Sequence, residues 1–495
     1  MRREFLINIS FLLFINLLIK PFFIFGIDLA VQNQVGEAYG AYFALLNFTY
    51  IFQIISDLGI QNFNNRHVSR HPATLQKYFP NLLALKLLLS GLYVVLSMLF
   101  AWLALGYEAA LLPLLLVLLV NQALVQGILF LRTNISGLGY FWLDSLLSSL
   151  DKLLMLLFCG LLLWGGLFAG PVTVLQFALA QTVALLCTVA LVWAILRKKV
   201  ALSFRPAWLR DFRRGRAALV VLLKNSFPFA LVTLLMSAYT RLDGILLERI
   251  LTDGRAHAEV YAGAYRLLDA ANMLGYLFAS LLLPMFAQLL RRGTPVRPLV
   301  SVGFRLIWAG SLCVAACVFF ARRDLVELMM PLRASAYRWD TLGILIWTFV
   351  PVGATYIFST LLTADGRLMQ MNRYFLVGIA VNVGLNLALT PRLQAVGAAW
   401  ATLGTQSFVA LAMMGLCLRH YDLRPSWRGL ARVGAYTGLS LLCGWLLFYH
   451  TTLPWFAQAG ALALGCVGLA FALRLVSVGE WRDKDDLVHD QRRSV

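Results

Sequence analysis

Four basic residues stand deep inside apolar stretches of this sequence, and we call them the deep cations: Lys20, Lys152, Arg241 and Arg266. Ammonium and guanidinium groups make charge-assisted hydrogen bonds to anions, and the fork of arginine matches two phosphate oxygens at once. These residue types therefore suit the binding of a multiply charged anion.

Carboxylates and neutral polar residues accompany the deep cations at helical spacing. They are Asp151, Asp243, Asp269, Tyr265, Asn272 and Gln53. A charge at the centre of a bilayer costs at least about 2.5–3.5 kcal/mol, so these residues must avoid lipid. Two interpretations stay open. In the first, the set lines a wet cavity in which hydroxyls and amides bind sugars and the aspartates couple protons or sodium to transport. In the second, the charges pair between helices and only fix the packing.

The elements that position these residues are membrane-spanning helices. Of the 495 residues 60% are hydrophobic and only 13% are charged, and stretches of about 20 apolar residues recur throughout. The sequence predicts an all-α polytopic membrane protein with about fourteen spans. They lie near 5–27, 39–60, 80–105, 110–132, 141–163, 171–196, 226–250, 259–284, 299–321, 339–363, 374–390, 396–418, 433–450 and 457–476. Pro391 is expected to end the eleventh span.

The distribution of basic residues predicts the orientation. With the N-terminus inside, 29 of the 42 Lys and Arg residues fall in cytoplasmic segments and seven in outer segments. Both termini are therefore expected in the cytoplasm. Because anionic headgroups attract the flanking positive charge, the net charge of +19 indicates membrane lipids as partners and not nucleic acid.

A short repeat indicates an internal duplication. YGAYFALLNF (39–48) resembles YAGAYRLLDA (261–270), and a deep cation precedes each Gly-Ala-Tyr by a similar distance. Parallel repeats of six helices are known among transporters. The predicted domains are an N-lobe (1–196), a basic cytoplasmic linker (197–225), a C-lobe (226–418), two accessory spans (419–476) and a cytoplasmic tail (477–495).

Helix geometry places the deep cations in one layer. At 1.5 Å per residue, Lys20 and Arg241 lie roughly 22 Å from the cytoplasmic end of their spans, and Lys152 lies roughly 16 Å in. Arg266 lies roughly 11 Å from the outer end. Lys86 is close enough to the cytoplasmic end to reach the surface, so we expect it to extend there.

The remaining chemistry-bearing residues do not predict a catalytic or metal site. All seven cysteines fall within apolar spans and are expected to pack as small apolar residues. The sequence has no phosphate-binding Gly-rich loop, histidine cluster or nucleophile elbow. We therefore expect no metal, no cofactor and no enzyme. A membrane glycosyltransferase or polymerase, with Asp28 and Glu37 as acids, is kept as a second alternative.

Three stretches resemble polysaccharide flippases, similar to those of O-antigen, in the multidrug/oligosaccharidyl-lipid/polysaccharide (MOP) superfamily. They are AYRLLDAANMLGYLFASLLLPMF (264–286), TADGRLMQMNRY (363–374) and GIAVNVGLNLALTPRLQAVGAAWATLGTQS (378–407). In the last stretch Asn382 and Asn386, one turn apart, are expected to bond across helices and to act structurally.

The resemblance implies a two-lobed transporter in the bacterial inner membrane. It would carry an undecaprenyl diphosphate-linked oligosaccharide to the outer leaflet by alternating access, with the deep cations holding the diphosphate. Glycan-synthesis and polymerase proteins of the same pathway are partners by analogy only. The first alternative is a cation-coupled multidrug antiporter of the same superfamily, against which the number of deep cations argues.

Overall fold

A computed structural model describes residues 18–61, 64, 68, 75–166, 170–199, 216–423 and 426–475. Nearly all of these residues are helical, and none of them forms a β-strand. A helix satisfies its backbone N–H and C=O groups internally, which apolar stretches in lipid require because no water is available there. The predicted all-α fold class is confirmed.

The residues up to Gly263 form one compact unit. A π-helical segment, Phe23–Asp28, comes first. The helices that follow are α1 (Leu29–Val35), α2 (Ala38–Phe52), α3 (Leu75–Leu103), α4 (Leu112–Gly137), α5 (Phe141–Leu147), α6 (Leu150–Trp164), α7 (Val174–Lys199) and α8 (Arg216–Ile250). Short 3-10 turns, Gln53–Ser56 and Ala109–Leu111, lie after α2 and before α4. Helix α7 packs against α4 and α6, and α8 packs against α2.

The residues from Ala264 onward form the second compact unit. Helix α9 (Gly254–Arg291) begins in the first unit and continues here. It is followed by α10 (Arg297–Phe320), α11 (Arg322–Met329), α12 (Ala336–Leu345), α13 (Phe349–Ala364), α14 (Leu368–His420), α15 (Trp427–His450) and α16 (Trp455–Ala472). A 3-10 turn, Ile346–Thr348, joins α12 to α13. Helix α14 packs on α12 and α13, and α10 contacts α13, α15 and α16.

Twelve of the described helical stretches are long and apolar enough to cross a membrane. Every predicted span from the second to the fourteenth overlaps one of these stretches, with ends that differ by a few residues. The first predicted span is described only from residue 18 onward. Residues 200–215 of the predicted linker and the predicted tail, 477–495, lie outside the described residues, and the predicted domain boundaries stay predictions.

Helix α14 contains two predicted spans, and the break between them differs from the expectation. Pro391 lies inside the helix, and the backbone turns at Gln394, where φ is 55°. The two halves meet so closely that a Cβ on Gly397 would lie 2.5 Å from the Leu389 carbonyl oxygen. The prediction that Pro391 ends the span was wrong by three residues, because the glycine allows the tight turn to form further along.

Candidate functional site

A row of polar side chains runs along α2 and the 3-10 turn that follows it. We call this set the polar row: Tyr39, Tyr42, Asn47, Tyr50 and Gln53. The first three are at most 3% exposed. Because buried polar groups are costly unless they are hydrogen-bonded, each needs a partner on a neighbouring element.

The tyrosines at the start of the polar row are anchored by two different elements. The Tyr39 hydroxyl lies 2.8 Å from both carboxylate oxygens of Asp28, which ends the π-helical segment. The side-chain amide of Gln181, on α7, donates to the Tyr42 hydroxyl at 3.2 Å. Asp28, a candidate acid of the enzyme alternative, is thus a hydrogen-bond acceptor for Tyr39.

Arg241 reaches the middle of the polar row from α8. Its Nη1 donates to Asn47 Oδ1 at 3.5 Å, and its guanidinium carbon lies 5.0 Å from the centre of the Tyr50 ring. The approach depends on Gly244, one turn along α8, where an added Cβ would lie 2.5 Å from the Asn47 amide nitrogen. The glycine therefore brings the cation of α8 into contact with α2.

Asp243 lies two residues beyond Arg241 and contacts a different residue. Its side chain is 1% exposed, and the Tyr261 hydroxyl donates to Oδ2 at a long 3.4 Å. A spacing of two residues points side chains to different sides of a helix. This aspartate is therefore enclosed by protein, and its predicted role in ion coupling stays a prediction.

Gln53 ends the polar row with a cluster of amides. Its Oε1 accepts from the side-chain nitrogens of Gln122 and Gln126, one helical turn apart on α4. The cluster joins the end of α2 to α4. Gln53 therefore has a clear packing role as well as its predicted role in the site.

A second group of charges surrounds α6. The Lys152 ammonium lies 3.8 Å from Asp151 Oδ2, 3.4 Å from the Met155 sulfur and 4.9 Å from the centre of the Phe23 ring. Lys20 interacts electrostatically with both Asp151 and Lys152. We call Lys20, Lys152 and Asp151 the lysine cluster. Two of the deep cations therefore interact with the same carboxylate, and the role of the cluster in anion binding stays a prediction.

Two other cations of the first unit lie close to a carboxylate. Arg132 Nε lies 2.8 Å from Asp144 Oδ1, so this aspartate neutralises Arg132 and leaves Lys152 to Asp151. The Lys86 ammonium lies 2.7 Å from Asp57 Oδ1, and Lys86 is 2% exposed. The expectation that Lys86 extends to the membrane surface was wrong, because a buried carboxylate on the neighbouring segment holds it inside.

The second unit carries the other predicted site residues on α9. Tyr265 and Arg266 are buried, at 6% and 5% exposure, while Asp269 and Asn272 are half-buried. Oδ1 of Asn272 is shielded from solvent and accepts no hydrogen bond within the described part of the chain. The predicted pairing of Arg266 with Asp269, like the role of Arg266 in anion binding, stays a prediction.

The resemblance found in the sequence is confirmed by comparison with known proteins. The model of the polysaccharide biosynthesis protein family matches residues 7–290, more than half of the chain. The chain belongs to this family. No curated protein sequence matches it.

Solved structures of MOP transporters share the fold of this family member. "Lipid II flippase MurJ, inward closed conformation" has a TM-score of 0.69 at 11% identity, covering 95% of this chain and 98% of its own. An inward-facing multidrug resistance MATE family transporter of the MOP superfamily has a TM-score of 0.62 at 16% identity. The match covers 83% of this chain and 94% of the transporter. A Vibrio cholerae MATE transporter has a TM-score of 0.56 at 16% identity. The match covers 85% of this chain and 97% of that transporter. The protein is a multi-pass membrane protein with the MOP transporter fold.

Sequence reasoning missed several residues that this family member buries. Glu259 is 2% exposed, and Gln32 Nε2 donates to its Oε1 at 2.7 Å. Asn47, the contact of Arg241, was also missed. Glu259 begins its predicted span, where a charge ordinarily faces water, so hydropathy offered no signal for it. The repeat of Gly-Ala-Tyr was a signal for the neighbourhood of Asn47, since that residue belongs to the repeated stretch.

Asn382 and Asn386 form a ladder along α14. The Asn386 amide donates to the Asn382 carbonyl at 3.0 Å, and the Thr390 hydroxyl donates to Asn386 Oδ1 at 3.1 Å. Both asparagines are 0% exposed. These bonds run within one helix, whereas the sequence predicted bonds between helices, which stay a prediction.

Proposed function

We propose that this protein is a flippase for undecaprenyl diphosphate-linked oligosaccharide in the bacterial cytoplasmic membrane. It would move the lipid-linked glycan from the inner to the outer leaflet by alternating access, for surface polysaccharide biosynthesis, with both termini in the cytoplasm. Membership of the polysaccharide biosynthesis protein family supports a glycan substrate. The likeness to a structure titled as a lipid II flippase supports the transporter fold.

The long spacing between Lys152 and Asp151 in the lysine cluster is the observation that carries this proposal. The Lys152 ammonium lies 3.8 Å from Asp151 Oδ2, beyond hydrogen-bond distance, and Lys20 also interacts electrostatically with this carboxylate. An arriving diphosphate would bring further negative charge and oxygen acceptors to the two ammonium groups. Lysine binds phosphate well as a point charge, and burial among helices strengthens the attraction.

The polar row supplies groups of the kind that bind sugars. Tyrosine hydroxyls and amides hydrogen-bond sugar hydroxyls in both directions, since they donate and accept. Arg241 stands at the middle of this row, over Tyr50. We assign Arg241 to the headgroup together with the lysine cluster, and we place the polyprenyl chain in lipid. Enzymes that make and polymerise the glycan are the proposed partners.

Binding of the lipid headgroup tests the proposal directly. The protein, in lipid nanodiscs, is loaded with undecaprenyl diphosphate, and native mass spectrometry records the bound fraction. Charge-assisted hydrogen bonds contribute about 1.5–3 kcal/mol, so Lys152→Gln should weaken binding by about 10- to 100-fold. Lys152→Arg keeps the charge and should retain most of the binding. Lys198→Gln, which removes an exposed cation at the end of α7, is the matched control.

Two outcomes would reject this assignment. Equal binding by the wild type, Lys152→Gln and Lys198→Gln would remove the lysine cluster from the site. Failure of the wild type to bind the lipid, with saturable binding of cationic drugs, would favour the multidrug antiporter instead. A transporter carries out no covalent step. Release of a sugar or phosphate from the lipid would therefore favour the alternative of a membrane glycosyltransferase or polymerase.

A further inference from the structure

Three segments of the first unit meet at one place, the connection between α8 and α9. We call residues 248–259 the α8–α9 corner. Gln32 of α1 and Gly40 of α2 contact this corner, and so does Tyr107, which lies between α3 and α4. The predicted topology places all three connections, 28–38, 106–109 and 251–258, on the outer side of the membrane.

The contact at Gly40 is between backbones. A Cβ built on Gly40 would lie 1.8 Å from the Arg255 carbonyl oxygen, 2.8 Å from its carbonyl carbon and 3.0 Å from the Glu259 nitrogen. Real Cβ atoms essentially never come within 3.0 Å of such atoms. A backbone atom cannot rotate away as a side chain can, so any other residue would have to push the corner outward. Glycine is therefore required for this closed arrangement.

Polar contacts surround the glycine contact. Gln32, which is 0% exposed, donates from Nε2 to the Glu259 carbonyl at 2.9 Å and to its Oε1 at 2.7 Å. The Tyr107 hydroxyl donates to Glu248 Oε2 at 2.9 Å, and the Arg249 guanidinium lies 3.7 Å from the centre of the Tyr107 ring. These contacts hold the corner at two further points besides Gly40.

We infer that Gly40 and the α8–α9 corner form a clasp that closes the outer end of the transporter and separates when that end opens. The inference rests on the proposed function, because only a carrier that releases cargo outward needs such an opening. Hydrogen bonds, the ion pair between Arg255 and Glu108 at 3.5 Å and one backbone contact suit an arrangement that forms and breaks in each cycle. Gly40 belongs to the repeated Gly-Ala-Tyr motif, and the clasp gives that glycine a role.

The test measures the distance across the clasp without any substrate. Spin labels are attached to Ala110→Cys and Thr252→Cys, two exposed positions beside the clasp, and pulsed electron paramagnetic resonance records their distances in nanodiscs. Labelled protein without the two new cysteines gives the background from native thiols. Gly40→Ala is compared with Gly91→Ala, a helical glycine on α3 with no atom within 4 Å of an added Cβ.

Gly40→Ala should reduce the population at the wild-type distance at least about tenfold and add a longer distance, while Gly91→Ala should match the wild type. An unchanged distribution in Gly40→Ala would overturn the clasp. If Gly40→Ala does not fold, the variant Gln32→Leu with Tyr107→Phe takes its place and should broaden the distribution toward longer distances. A distance distribution in this double variant that equals that of the wild type would also reject the inference. Because no lipid is added, the result is independent of whether the lysine cluster binds diphosphate.

Discussion

Removing either partner of the ion pair between Lys86 and Asp57 should strongly destabilise the protein. The ammonium and the carboxylate are 2.7 Å apart, and their side chains are 3% and 14% exposed. Lys86→Met leaves the Asp57 charge inside the protein with its close cation removed. Breaking a buried pair in this way costs about 3–5 kcal/mol, a large share of the roughly 5–15 kcal/mol that stabilises a typical protein.

A double-mutant cycle separates the pair from its surroundings. Asp57→Leu alone should also destabilise, because Lys86 then stays charged and buried. The combination Lys86→Met with Asp57→Leu should recover most of the loss, since replacing both partners by apolar residues of similar volume is often neutral or stabilising. Lys198→Met, an exposed position, is the control and should change stability by less than about 0.5 kcal/mol.

The assay is thermal denaturation in detergent, followed by fluorescence-detected size-exclusion chromatography. Both single variants should lose monodisperse protein at clearly lower temperature than the double variant does. If the losses of thermal stability in the two single variants add up in the double variant, so that it is the least stable, the claim that the two charges stabilise each other is refuted. Asp57 follows directly after the 3-10 turn Gln53–Ser56. Loss of the ion pair should therefore also make Gln53, at the end of the polar row, less well ordered.

Two further predictions concern the second unit. Burial raises the pKa of Asp365, but hydrogen bonds from the Tyr421 hydroxyl and the Arg367 guanidinium outweigh it and hold the pKa below its usual value of 3.8. The stability that this carboxylate contributes is present above about pH 4 and is lost as the pH falls through the lowered pKa. Asp365→Asn should therefore flatten the acid limb of a stability-against-pH curve, and an unaltered limb would reject the assignment. Gly444→Leu should separate α15 from α10, because an added Cβ would lie 2.3 Å from the Phe320 ring. We expect a loss of about 1–3 kcal/mol in thermal denaturation, and wild-type stability would show that the ring moves aside freely.

The transmembrane helices could be predicted well because their signal is local. Apolar length decides whether a segment spans the membrane, and this length is read directly from the sequence. The break in α14 was placed three residues early. Its position depends on Gly397 approaching the Leu389 carbonyl, a contact between two helices that hydropathy does not encode. Proline marked the region correctly but not the residue at which the backbone turns.

The sequence gives an expected depth for each candidate site residue but does not identify its partners. Helix geometry gives the distance of a residue from the end of its span, which is one coordinate of three. It predicts one layer for Lys20 and Lys152, and in the structure the two ammonium groups interact electrostatically. The partner of Lys86 could not be found this way, because Asp57 lies on a different segment and only the packing of α3 beside it makes them neighbours.

The spacing between opposite charges separates two kinds of cation in the first unit. Arg132 and Lys86 lie 2.8 Å and 2.7 Å from their carboxylates, so their donors are committed to the protein. Lys152 lies 3.8 Å from Asp151, which also interacts with Lys20. A cation that binds a ligand must keep donors available, and its burial must be offset by some nearby negative charge, since an isolated charge would be too costly. The 3.8 Å spacing from Asp151 meets both requirements, and this is why we propose Lys152, and not Lys86 or Arg132, as a cation that binds the diphosphate.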